Sequence, residues 1–178
     1  MNEDLRLQYP LSDVEKLSKA HDLDAFNCGK ASLNEWLKRY ARHNQAVDAA
    51  QTYVVQRGQR VTGYYSLAYG SVQREETSPR IAQGLARHPV PVIILARLAV
   101  DLIEASQGLG KALLKNALIQ VDFAADIAGA RALLVHATDE EAGKFYVHFG
   151  FEISPVNEYT LMLLMKDLHA MKERSSIM

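Results

Sequence analysis

The chain has 178 residues, 48% of them hydrophobic and 23% charged, with a formal net charge of -1. That size and make-up fit one soluble globular domain with a single substantial core. A near-neutral charge gives no whole-molecule attraction for nucleic acid, so any such contact needs a local basic patch. The only cysteine, Cys28, excludes an internal disulfide and a cysteine-based zinc site. The scattered histidines have no ligand-like spacing, so no metal is expected. No apolar run is long enough to span a bilayer, and Met1-Asn2-Glu3-Asp4 lacks the apolar core of a signal peptide. The expected location is the cytoplasm.

In chain order, residues 6–10 read as a short strand and residues 13–21 as a polar helix. Ser32-Leu33-Asn34-Glu35 has a capping-box pattern, and Leu33, Trp36, Leu37, Tyr40 and Ala41 recur at helical spacing. The opposite face carries Lys38, Arg39 and Arg42. The period then changes. Residues 52–56 and 61–68 are rich in Val, Tyr and Thr around Arg57-Gly58-Gln59-Arg60, which predicts an antiparallel hairpin extendable through residues 69–73. Residues 75–88 are polar and weakly helical, and Pro89-Val90-Pro91 ends them.

Residues 92–100 are apolar except for Arg97, as expected of a central strand covered on both faces. A Gly-rich turn follows, Ala105-Ser106-Gln107-Gly108-Leu109-Gly110. Leu113, Leu114, Ala117, Leu118 and Val121 then form the apolar stripe of a helix running towards Gly129. Leu133-Leu134-Val135 is a buried strand. Asp139 can cap a helix whose Ala142, Phe145, Tyr146 and Phe149 share a face, with Gly150 at its end. Residues 151–154 and 159–165 read as two closing strands, and the chain from His169 as a frayed, flexible tail. The order predicts one α/β (α+β) domain over residues 1–178, a mixed sheet with helices on its faces.

A diphosphate needs convergent N–H donors without Cβ atoms in the way, and glycines opening a helix supply both. Gly108 and Gly110 sit in that context. A Walker A loop would need Ser or Thr at Ala112 and glycine at Ala105, and a dinucleotide fingerprint a third glycine near Leu113, so ATP and NAD are disfavoured. On the turn alone, a ligand-free strand-to-helix junction remains an equal reading.

Several blocks together carry a resemblance. They are Arg97-Leu98-Ala99-Val100-Asp101, the Gly turn after it, and residues 139–151, Asp139-Glu140-Glu141-Ala142-Gly143-Lys144-Phe145-Tyr146-Val147-His148-Phe149-Gly150-Phe151. They resemble the GCN5-related N-acetyltransferase (GNAT) family. Phe26-Asn27-Cys28-Gly29, Leu33-Asn34-Glu35-Trp36-Leu37, Thr52-Tyr53-Val54, Gly63-Tyr64-Tyr65-Ser66-Leu67, Gly70-Ser71-Val72 and Arg87-His88-Pro89-Val90-Pro91-Val92 extend the likeness to the acetyltransferase toxins of bacterial toxin–antitoxin pairs.

The resemblance implies the GNAT fold, a mostly antiparallel mixed sheet with a splayed parallel strand pair flanked by helices. It implies acetyl-CoA as cofactor. Backbone groups of Leu98, Ala99 and Val100 would hold the pantetheine arm as an added strand. Ala105, Ser106, Gln107, Gly108, Leu109, Gly110 and Lys111 would hold the pyrophosphate, with Asp139, Ala142 and Phe145 also at the cofactor. Tyr146 matches the family's general acid, which protonates the departing thiolate. One departure stands out: Ala105 occupies the family's Arg/Gln position, and Ser106 stands where the toxins commonly have glycine. Backbone donors survive both changes; a side-chain contact from the first position does not.

Glu104, Asp139, Glu140 and His136 are candidate bases by type, each more simply a cap, a solvated residue or a strand-end group. A base is dispensable for an α-amine, whose pKa of about 7.7–8 leaves a useful neutral fraction near neutral pH. The resemblance therefore points to acetylation of aminoacyl-tRNA, with Lys38, Arg39 and Arg42, joined by Arg80 and Arg87, as the RNA-facing basic set. It also implies a homodimer and a ribbon-helix-helix antitoxin. A protein N-terminus, polyamine or small amine is the alternative acceptor, and a non-catalytic CoA- or RNA-binding module the alternative class.

Overall fold

The computed structural model describes residues 5, 6 and 8–176. A seven-stranded mixed sheet has the order β1-β2-β3-β4-β5-β7-β6. Its strands are β1 (Glu15–Lys16), β2 (Gln51–Arg57), β3 (Arg60–Val72), β4 (Val90–Val100), β5 (Ala132–His136), β6 (Glu152–Ile153) and β7 (Thr160–Leu164). The helices are α1 (Ala31–Arg39), α2 (Ala41–Ala46), α3 (Pro79–Ala82), α4 (Leu109–Ala128), α5 (Glu140–His148) and α6 (Met165–Ser176). The chain divides into two compact units. Strands β3 and β4 and helix α4 contribute residues to both.

The first unit comprises residues up to Ala68 together with Ala96–Ala117. Its centre is the β2–β3 hairpin, in register from Gln51↔Leu67 to Arg57↔Arg60. Cross-strand partners Tyr53 and Tyr65 stack with ring centres 5.1 Å apart, the kind of pair that fixes register. On one face, Leu33, Trp36 and Leu37 of α1 bury against Phe26, Val54, Val61, Tyr64 and Ala99. On the other, α4 can approach because Gly63 has no side chain. A Cβ there would lie 3.0 Å from Leu113 and Val55 and 3.2 Å from Leu109.

The second unit comprises Tyr69–Leu95 and Leu118–Met178. Here β4 pairs in parallel with β5, from Val92↔Ala132 to Leu95↔Val135, and β5 and β6 both pair antiparallel with β7. Val72, Ile81, Val90, Val92, Ala132, Leu134, Met162 and Leu164 form its core. Arg131 ties the residues 75–88 region down by donating to the carbonyls of Ile81 at 2.8 Å and Gln83 at 3.0 Å.

Four local expectations differ from the structure. Residues 5, 6 and 8 are helical rather than extended, and the Tyr9 N–H donates to the Leu5 carbonyl at 3.0 Å. Residues 13–21 are not a helix. They run along β2 as an edge, with Ser12 and Leu17 N–H groups bonded to Gln56 and Thr52 carbonyls and only Leu17 and His21 buried. The capping box of Ser32 is not made. The helix starts two residues earlier, at Ala31 after Lys30, and Asn34 turns back to accept from the Cys28 N–H at 2.8 Å. The tail from His169 continues α6 as far as Ser176, with Lys172 and His169 reaching Asp122 at 2.6 and 3.1 Å.

Candidate active site

In the first unit, β4 ends at Val100 and the chain makes a single 3-10 turn, Leu102–Glu104, before four turn residues lead into α4. Residues 105–108 are all exposed. Two of them take left-handed backbone angles: Ser106 at φ +62° and Gly108 at φ +79°. The position where the toxins commonly carry glycine therefore keeps glycine-like geometry, although serine must adopt it at a cost of about 1–2 kcal/mol. A Cβ on Gly108 would meet nothing within 4 Å, so its surroundings are open. The Gly108 carbonyl accepts the Ala112 N–H at 3.1 Å, the first bond of α4. Helix geometry then leaves the N–H groups of Leu109, Gly110 and Lys111 without intrahelical acceptors, at the positive end of the dipole. This is an anion-binding arrangement.

Sequence reasoning missed what holds the loop in place. Asp101, 1% exposed, accepts from the Ile103 N–H at 3.0 Å, the Asn27 N–H at 2.9 Å and Arg60 Nη2 at 3.2 Å. Glu104, 2% exposed, is gripped by Arg57 through two nitrogens, the longer contact being 3.3 Å. Arg57 and Arg60 flank the β2–β3 turn, so one tight turn supplies both cations. Glu104 is thus a structural anchor, not a base or a solvated residue. The pairs span 47 and 41 residues, and the only sequence hint was two arginines bracketing Gly58-Gln59.

In the second unit, Asp139 caps α5, its Oδ1 accepting from the Ala142 N–H at 2.8 Å. Phe145 is half-buried, its ring 5.1 Å from Tyr146 and 5.0 Å from Phe149. Tyr146 is 6% exposed and also packs on Phe151 at 5.3 Å. Its hydroxyl has no hydrogen-bond partner among the described residues. The other two buried tyrosines do: Tyr64 donates to the Leu33 carbonyl at 2.8 Å and Tyr65 to Asn116 Oδ1 at 2.5 Å. Burial pushes the Tyr146 phenol well above its ordinary pKa of 10.0. The phenol stays protonated, and its hydroxyl is not among the fully enclosed unpartnered side-chain atoms, so it is accessible to donate to a bound molecule. Of the remaining candidate bases, Glu140 is a solvated residue in an exposed pair with Lys144 at 3.3 Å, and His136 Nδ1 lies 3.1 Å from Thr160 Oγ1.

The basic residues sort by what they touch. Lys38 and Arg39 are exposed on α1, Arg39 pairing with Glu35 at 3.2 Å. Arg42 clamps the chain by donating to the His21 carbonyl at 2.5 Å. In the second unit, Arg80 is bidentate to Asp167 at 2.9 and 3.1 Å and also pairs with Glu152, which neutralises it. Arg87 is exposed and lines a cavity of about 380 Å³ with Gln73, Arg74, Glu75, His88 and Pro89.

Comparison with known proteins adds three findings. Residues 17–151 match the acetyltransferase (GNAT) family model. A tRNA-acetylating toxin of Mycobacterium tuberculosis (strain ATCC 25618 / H37Rv) is 45% identical over 160 residues, covering 90% of this chain and 96% of that protein. Two solved structures of AtaT superpose well. The one complexed with acetyl-methionyl-tRNAfMet has a TM-score of 0.83 at 27% identity, covering 90% of this chain and 98% of that chain. A mutant AtaT toxin bound to the C-terminus of the antitoxin AtaR and acetyl-CoA has a TM-score of 0.77 at 27% identity, covering 90% and 97%.

Proposed function

The chain belongs to the acetyltransferase (GNAT) family, and from that premise we propose that it acetylates the α-amine of the amino acid carried by a tRNA, using acetyl-CoA. The acceptor assignment is supported by the 45% identity to a tRNA-acetylating toxin over nearly its whole length. The catalytic assignment rests on one observation above all: Tyr146 is buried as a residue, yet its hydroxyl has no partner among the described residues and is not enclosed.

Acetyl-CoA supplies the thioester and its acetyl group. The residues after β4 suit its pyrophosphate: glycine-like geometry at Ser106, open space at Gly108, and orphan N–H groups on Leu109, Gly110 and Lys111. Ala105 contributes no side-chain contact, so backbone donors carry this binding. Backbone groups of Leu98, Ala99 and Val100 are assigned to the pantetheine arm, and Ala142 and Phe145, beyond the Asp139 cap, to the same cofactor. Tyr146 would donate its Oη proton to the sulfur as the carbon–sulfur bond breaks, and the proton shed by the attacking nitrogen would return through solvent to restore the phenol. A backbone N–H in the stretch 98–100 polarises the carbonyl under attack. The attacking α-amine needs no protein base, because a useful fraction is neutral near pH 7.

The proposal takes residues 1–178 as one catalytic domain acting in the cytoplasm, where charged tRNA is found. It includes an antitoxin partner, supported by the AtaT relative captured with its antitoxin's C-terminus; the homodimer and the ribbon-helix-helix fold of that antitoxin rest on the family resemblance alone. Exposed Lys38, Arg39 and Arg87 are the members of the basic set most available to RNA phosphates. Thiol release from acetyl-CoA, measured with charged tRNAs, a peptide N-terminus, a polyamine and a small amine, tests the reading. Turnover confined to charged tRNA is the expected result. Turnover only with another amine would move the acceptor, and no turnover with any would leave a binding module.

A further inference from the structure

β4 carries one cation in an otherwise apolar run, Arg97, and the acetyl-transfer chemistry above does not use it. Strand alternation puts Arg97 on the same face as Ala99, which packs with Phe26, Trp36 and Tyr64 under α1. Val100 points the other way, towards Gly110. The Arg97 guanidinium carbon lies 4.1 Å from the centre of the Trp36 ring. Trp36 in turn stacks on Tyr64 at 6.1 Å and 12°, and the Tyr64 hydroxyl is committed to Leu33. The guanidinium therefore rests on a fixed aromatic plate.

What it lacks is an acceptor. Arg57 and Arg60 have buried carboxylates, and Arg42 and Arg131 have carbonyls. Arg97 is half-buried, yet among the described residues it makes no hydrogen bond and no ion pair. Desolvation opposes its charge strongly enough to lower its pKa. A cation–π contact satisfies one face of the guanidinium and leaves its in-plane N–H donors unused. A planar fork of this kind matches the oxygens of a phosphate or carboxylate. In an aminoacyl-tRNA the amino acid's own carboxylate is esterified, so the anion nearest the α-amine is the phosphodiester of the terminal nucleotide.

We propose that Arg97 is an acceptor-binding residue, its free guanidinium edge taking the terminal phosphodiester of the charged tRNA while Trp36 holds it in place. This inference rests on aminoacyl-tRNA being the acceptor. It places an acceptor contact one residue before the stretch 98–100 assigned to the pantetheine arm, with the side chain on the α1 face.

The test compares wild type, Arg97→Gln and Arg97→Lys on charged tRNA and on an aminoacyl methyl ester, which offers the same α-amine without a phosphate. Thermal melting checks each variant's fold. Arg97→Gln is expected to lower the ratio of kcat/KM for charged tRNA to that for the ester by roughly tenfold to a hundredfold, the scale of a lost charge-assisted hydrogen bond. The slope of log binding constant against log salt should fall by about 0.7, one single-strand phosphate contact. Arg97→Lys should keep the salt slope while regaining only part of the ratio, because it loses the planar fork. An unchanged ratio, or an unchanged salt slope in Arg97→Gln, would leave Arg97 a packing residue over Trp36 and overturn the proposal. Failure of the wild type to acetylate charged tRNA while it turns over the ester would remove the acceptor reading, and this inference with it.

Discussion

Three residues test the proposed chemistry, each in a different way. Tyr146 is held protonated by burial, since a phenol pKa raised above 10.0 keeps the neutral form through the physiological range and beyond. The expected pH profile of kcat/KM therefore rises as the α-amine deprotonates, at about 7.7–8, and does not fall before roughly pH 10. Tyr146→Phe removes only the proton donor. It should lower kcat by about 10²–10⁴-fold while calorimetry shows acetyl-CoA binding intact; wild-type turnover in that variant would take Tyr146 out of the mechanism. Ser106 stores strain at φ +62°. Ser106→Gly relieves about 1–2 kcal/mol but adds about 0.5–1 kcal/mol of backbone entropy to be lost, so a net gain of roughly 0.5–1 kcal/mol is expected in denaturant melts. A loss of stability would mean the left-handed turn is not as described. At Ala105, restoring glutamine should leave acetyl-CoA affinity unchanged or tighten it, because the register aligns that position with a polar side chain in relatives. Loss of binding in a folded Ala105→Gln protein would show the register to be wrong. The sequence suggested Tyr146 only through the family pattern, since its periodicity alone favours a core aromatic.

At the scale of elements, the loop before α4 owes its position to the β2–β3 turn. Arg57 and Arg60 reach Glu104 and Asp101 across a 3-10 turn, and both carboxylates are almost fully buried. Breaking such a pair from one side leaves an uncompensated buried charge, which costs about 3–5 kcal/mol. Arg57→Ala is thus expected to destabilise the protein by about 3 kcal/mol and to raise the KM for acetyl-CoA more than it lowers kcat. A stable variant with unchanged KM would mean the clamp does not set the loop. Long amphipathic or continuously apolar segments were readable in advance: α1 from Leu33, Trp36 and Leu37, β4 from its apolar run, α4 from its stripe, and α5 from its Asp139 cap. The clamp was not, because its partners lie 47 and 41 residues apart and nothing local marks them. The capping-box pattern at Ser32 misled for a related reason. Gly29, at φ +87°, turns the chain so that α1 begins at Ala31, and Asn34 serves the preceding loop instead of the helix end. Along residues 8–21, the expected strand and polar helix gave way to a local helical turn and to hydrogen bonds to β2, which periodicity does not encode.

For the molecule as a whole, a net charge of -1 supplies no long-range pull on nucleic acid, so the proposed tRNA recognition would fall to a few placed cations. Lys38, Arg39 and Arg87 are exposed, Arg97 is half-buried with no ion pair among the described residues, and Arg42 and Arg80 are committed within their own units. Among the described residues, no helix is long and apolar enough to cross a membrane. Fold class and chemistry were legible from the ordered series of motifs. The division between structural and available arginines was not, because every arginine looks alike until its partners are known. The central claim is that the acetyl group ends on the α-nitrogen of an amino acid esterified to tRNA. It is tested most directly by incubating the protein with acetyl-CoA and charged tRNA, digesting the product with nuclease, and locating the acetyl group by mass spectrometry. The expected product is N-acetyl-aminoacyl-adenosine, formed by the wild type and nearly absent with Tyr146→Phe. An acetyl group found on the nucleotide, or an aminoacyl-adenosine left unmodified, would contradict it.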